Sequence, residues 1–107
     1  INNIESIFIL YNMLLWELVF MVIYMEDYIS RDPGFLYETI SESIERGIRI
    51  VINFKGVDII PMEYLKESVG RILEENSFET IKNKLNFINV KRQIRFELSE
   101  LVKGYPN

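Results

Sequence analysis

Neither cysteine nor histidine occurs in the 107 residues, and alanine is absent as well. Without cysteine there is no disulfide, no thiolate metal ligand and no thiol nucleophile, and without histidine the usual acid/base group near neutral pH is missing. A cysteine-free chain fits the reducing cytoplasm, the compartment expected here. Glycine (5) and proline (3) are scarce, so the turns they mark carry weight. Positive charge is also short: the formal charge is -4 and the sequence pI about 4.9, which excludes a general nucleic-acid binder needing a concentrated basic surface. The charge is uneven, with a net -8 over residues 1–79 and +4 over residues 80–107. A basic patch of Lys82, Lys84, Lys91, Arg92 and Arg95 could meet an acidic partner, but a solvated helix face is the favoured reading.

The apolar content, 49%, fills one core, and a chain of this length makes one domain. Its longest apolar run is Ile7 to Met25, interrupted only by Asn12 and Glu17. That length allows a membrane span. Against a span stand Glu17 within the run, Glu26-Asp27 at its flank, and no Lys or Arg before Arg31. A signal peptide lacks its basic opening for the same reason. The first twenty residues are dense in Ile, Asn, Leu, Phe and Tyr, which AT-rich DNA encodes by default. Trp16-Glu17 also requires a GGGA run resembling a bacterial ribosome-binding site, three codons before Met21. Residues 1–20 are therefore read as a non-native extension, with Met21, or second Met25, as the native start. The competing readings are an extra edge element on the sheet and a membrane anchor.

From Met21 onward the order is strand, helix, strand, helix, strand, helix. Met21 to Met25 is the first strand. Tyr28 to Gly34 is a turn cluster with Ser30 or Asp32 as N-cap, and a helix over Phe35 to Arg46 places Leu36, Ile40 and Ile44 on one face before Gly47. Ile48 to Phe54 reads as a strand covered on both faces, since only Arg49 and Asn53 are polar. Lys55-Gly56 ends it. A second helix opens near Pro61 with Glu63 in its first turn, and Leu65, Val69, Ile72 and Leu73 form its apolar stripe. Gly70 leaves room for close approach of a neighbouring backbone. Ser77 opens a short turn over Phe78 to Ile81, Leu85 to Val90 is the third strand, and Lys91 to Lys103 is the last helix with Ile94, Leu98, Leu101 and Val102 inward. Right-handed crossovers make this an α/β domain, a mostly parallel sheet with helices packed on it.

Catalytic and cofactor patterns are weak. The acid pairs Glu26/Asp27, Glu42/Glu45 and Glu74/Glu75 fall on helix surfaces or turns, and no pattern supplies the pocket that would drive two carboxylate pKa values apart. Lys55-Gly56 lacks the frame of a P-loop, and Arg31 to Gly34 holds one glycine. Tyr24, Tyr28, Tyr37 and Tyr64 suit core or rim positions rather than a stacking platform. No enzyme, cofactor or metal site is expected. A small-ligand site in the sheet crevice is the alternative kept open.

The SRDPG turn, the glycine-ended helix, VINFKGVDII before an amphipathic helix, and the late KLNFINV strand together resemble the STAS-like domain of unknown function (DUF4325) of small bacterial proteins, over about Met21 to Tyr105. That family is similar to the anti-sigma factor antagonists, whose STAS domain is phosphorylated by a GHKL-type ATPase kinase at a serine opening the helix after the strand. Here Pro61-Met62-Glu63 occupies that turn, with no hydroxyl. The resemblance thus implies a regulatory protein-interaction module that lacks the phosphoacceptor, with a GHKL-type ATPase or anti-sigma factor as partner. Its implied contact surface is Asp58, Pro61, Met62, Glu63 and Lys66. Glu63 is read as an ordinary helix-terminal acid, with permanent mimicry of the phosphate charge as the lesser reading. Ser68, a turn further in, is a poor kinase target.

Overall fold

The computed structural model describes residues 20–105. The expectation of a non-native extension, edge element or anchor falls on residues 1–19, outside the described residues, plus Phe20. Three strands, β1 (Phe20–Tyr24), β2 (Arg49–Asn53) and β3 (Leu85–Ile88), form a parallel sheet in the order β1-β2-β3. Among the described residues, five helices join and follow them: α1 (Met25–Tyr28), α2 (Pro33–Glu45), α3 (Met62–Glu75), α4 (Phe78–Lys84) and α5 (Arg92–Lys103). Helix α3 runs through Met62–Leu65, a π-helical middle at Lys66–Gly70, and Arg71–Glu75.

The expected α/β fold is present, with small shifts that have local causes. β1 starts at Phe20, and Met25, fully buried, opens α1 rather than closing the strand. Asp32 is the N-cap of α2: its carboxylate accepts the Gly34 N–H at 2.7 Å, and Pro33 takes the first helical position, where a missing N–H costs nothing. Gly47, at φ +73°, turns the chain out of α2. Ser77 caps α4, which runs to Lys84 rather than ending after one turn. The third strand stops at Ile88 because Asn89 adopts φ +54°, outside any strand geometry.

One expectation is overturned. Among the described residues, helices cover β2 on one face only, and Val51 and Asn53 on the other face are half-buried. Register places Met21 and Ile23 beside Ile50 and Ile52, and these beside Leu85 and Phe87, on one face. That face meets Leu36 and Ile40 of α2, Leu65, Val69 and Ile72 of α3, and Ile94 and Leu101 of α5 in a single core. The opposite face carries Phe20, Val22, Tyr24, Arg49, Val51, Asn53, Asn86 and Ile88, and the three β1 side chains are exposed. The order β1-β2-β3 explains the asymmetry: two crossovers of the same hand, both stepping the same way across the sheet, lie on the same face.

Two further details differ from expectation. Val102 points outward, while Leu98 is half-buried and Ile94 and Leu101 fully so. What approaches Gly70 is a side chain: a Cβ there would lie 3.2 Å from the Tyr105 hydroxyl, as well as 3.4 Å from the Leu65 carbonyl within the helix. Polar ties lock α2 to α3. The Tyr37 hydroxyl donates to the Glu75 carboxylate, and the Arg71 guanidinium lies 3.7 Å over the Tyr37 ring. No helix among the described residues is long and apolar enough to cross a membrane.

Candidate functional site

The five residues of the expected contact surface lie on the loop from β2 to α3 and the first turns of α3. This loop leaves the carboxyl end of the central strand. Phe54 stays tied to the sheet through its N–H to the Ile88 carbonyl at 3.0 Å, and Gly56, at φ +82°, reverses the chain. Asn53 joins two strand ends: its side-chain oxygen accepts from Lys55 N–H and from the Asn89 amide, each at 2.9 Å. Beyond the turn, Val57 and Ile60 are buried and pin the loop to the core. Between them Asp58 and Ile59 face solvent, and Ile59 is 71% exposed.

Asp58 forms an ion pair with Lys91, the N-cap residue of α5, so the two loops at the carboxyl edge are clamped. Both side chains are well exposed, which limits the pair to about 0–1 kcal/mol. Pro61 is the N-cap residue of α3, and its carbonyl accepts from Leu65 N–H at 3.3 Å. Glu63 is exposed in the first turn, where the helix dipole favours an acid, and makes no hydrogen bond or ion pair among the described residues. Met62 and Lys66, one turn apart, line a shallow cavity of about 360 Å³ with Glu100, Leu101, Gly104 and Tyr105 of the α5 end. The expected residues thus include one partner of the Asp58–Lys91 ion pair and two residues of the cavity at the end of α5.

Sequence reasoning missed Ile59. Within VDII it looks like any core aliphatic, and only the alternation of buried Val57 and Ile60 around it sets it outside. Ser68 is fully buried, donating to the Tyr64 carbonyl at 2.7 Å, so burial as well as helical context keeps it from a kinase. The basic patch does not assemble as one surface: Lys82 and Lys84 lie before β3, and Lys91 and Arg92 after it. Tyr64, an expected core aromatic, is buried, and burial raises its phenol pKa above the ordinary 10.0 while its hydroxyl donates to the Tyr28 carbonyl at 2.8 Å. Tyr37 is raised chiefly by its hydrogen bond to Glu75. Tyr24, by contrast, is exposed on the open face.

A small parallel sheet with all its described helices on one face, and a helix opening at Pro61 beside an exposed loop at the strand ends, defines a STAS-like class of α/β domain. The chain belongs to the family described as STAS-like domain of unknown function (DUF4325), whose model matches residues 35–95, more than half of the chain. Among curated proteins and solved structures, nothing matches the chain significantly.

Proposed function

We propose that the domain is a non-enzymatic protein-interaction module of a bacterial regulatory system, docking a GHKL-type ATPase or an anti-sigma factor through the β2–α3 loop and the start of α3. The observation that carries this reading is Ile59. A large aliphatic side chain held in solvent between two buried neighbours exposes apolar area that a partner would cover. Beside it in the chain the charged residues Asp58, Glu63 and Lys66 are exposed, as is Pro61, and charges at an interface rim set register and partner choice. The resemblance to the anti-sigma factor antagonists favours the same surface, since their regulated turn would fall at Pro61-Met62-Glu63. The shape of a docking surface, not phosphorylation of that turn, would set the interaction, and a cytoplasmic location follows from such a partner.

Affinity capture from a host carrying the gene, with the intact chain as bait, tests the reading. Recovery of a GHKL-type ATPase or anti-sigma factor that is lost on Glu63→Arg is the expected result. Recovery of neither class, or recovery indifferent to Glu63→Arg and Ile59→Glu alike, overturns it.

A further inference from the structure

β3 is the outermost strand of the sheet: it pairs with β2 on one side, and among the described residues no strand lies on its other side. Alternate residues of a parallel strand turn their backbone groups to opposite sides. The Ile88 carbonyl accepts the Phe54 N–H, so Ile88 and Asn86 face β2 while Leu85 and Phe87 face outward. The Leu85 N–H is taken up by the Ile81 carbonyl at the end of α4. The Leu85 carbonyl and both backbone groups of Phe87 are thus left at the edge, without a backbone partner among the described residues. Such an edge is a template for a further strand, and β3 holds neither the proline nor the charged residue that would blunt it.

Beside that edge, on the helix-covered face, lies a cavity of about 300 Å³ between α3, α4, β3 and α5, lined by Leu85, Phe87, Phe78, Leu98 and Val102 among others. Phe78 and Val102 in its wall are 41% and 37% exposed, which makes it an open cleft rather than a sealed void. A strand added beside β3 continues the pleat, so its residues opposite Leu85 or Phe87 send their side chains to the same face as the cleft. The volume admits on the order of ten water-sized heavy atoms, at about 30 Å³ each, enough for one aromatic side chain. Among the described residues, the one charged side chain lining the cleft is Lys82, which is exposed and in no ion pair.

We propose that this edge and cleft take up an extended segment of a partner protein by strand addition. The segment pairs its backbone with Phe87 and the Leu85 carbonyl, places one large aromatic side chain in the cleft, and sets an acidic side chain on the same face against Lys82. The edge is short and offers few backbone bonds, so the side chain in the cleft carries the selectivity. None of Asp58, Ile59, Pro61, Met62, Glu63 and Lys66 lines the cleft, and the proposal does not rest on what docks at that loop.

The probe is the blocked peptide acetyl-Glu-Thr-Phe-Thr-Val-amide, whose glutamate, phenylalanine and valine share one face when extended. Titration calorimetry on the intact chain should give one saturable site, at least tenfold weaker when the peptide's phenylalanine is replaced by alanine. An added strand is paired along one edge only, so N-methylation of alternate peptide residues should abolish binding in one frame and leave it nearly unchanged in the other. Leu98→Trp, or Val102→Phe if the first fails to fold, should weaken binding at least tenfold, and Lys82→Gln by up to about fivefold. The Phe87 amide should exchange its hydrogen readily in the free chain and at least tenfold more slowly with peptide bound. No saturable binding, equal loss in both N-methyl frames, or indifference to the cleft-filling variant would overturn the proposal. So would a Phe87 amide already protected in the free chain, whether by a second copy or by the chain itself.

Discussion

Replacing Ser68 with aspartate should cost this domain most of its stability. Ser68 has no exposed surface, sits in the π-helical middle of α3, and its hydroxyl hydrogen-bonds the Tyr64 carbonyl at 2.7 Å, with a longer approach to Leu65. Around it Leu65, Val69 and Ile72 are buried as well. An ionised carboxylate there would sit among buried apolar side chains, and an uncompensated buried charge costs about 3–5 kcal/mol. A domain of this size holds about 5–15 kcal/mol in total. Ser68→Asp is therefore expected to be largely unfolded, or to fold only where the acid is protonated, at lower pH. Ser68→Ala loses one hydrogen bond without burying a charge, so about 0.5–1.5 kcal/mol is expected. Urea titrations followed by circular dichroism at pH 7 and pH 5 separate the two. If Ser68→Asp melted in urea like the wild type at pH 7, or if native protein accepted phosphate on Ser68, the reasoning that closes this helix to phosphorylation would fail.

Other consequences follow from single positions. Gly47→Ala places a side chain at φ +73° in otherwise open space, so the strain alone should cost about 1–2 kcal/mol, and Gly47→Asn distinctly less, by thermal denaturation. Ile72→Ala, at a position with no exposed surface, should cost about 2–5 kcal/mol in the same assay. The raised pKa of Tyr64, caused first by burial, fixes a sign: above pH 10.0 the unfolded chain gives up this proton before the folded one. Its stabilisation is complete below that pH and lost as pH climbs through the folded value, so alkaline unfolding should be shallower in Tyr64→Phe than in the wild type. Ile59→Glu, fully on the surface, should leave the melting curve within about 0.5 kcal/mol of the wild type.

Periodicity made α3 legible: Leu65, Val69, Ile72 and Leu73 are all buried, as their spacing requires. The strands were legible as strands but not by face. Phe20, Val22 and Tyr24 are as apolar as Met21 and Ile23, so β1 carries no alternation to say which side meets the core, and the open face emerges only from register and crossover direction. The π-helical turn leaves no mark in side-chain type. Asp58, Pro61, Met62, Glu63 and Lys66 were named through family resemblance, yet Ile59 among them was hidden because exposure is a property of the folded loop. Arg49 is far in sequence from Lys82 and Lys84, and only parallel pairing of β2 with β3 brings them to one end of the sheet.

The account's central claim is that the β2–α3 loop is the docking surface, and Ile59→Glu tests it directly. With the ATPase or anti-sigma factor recovered by affinity capture, calorimetric Kd values are compared for wild type and variant, alongside their melting curves. The account predicts at least a tenfold rise in Kd, about 1.4 kcal/mol, with melting unchanged. An unchanged Kd in a normally folded variant would contradict it.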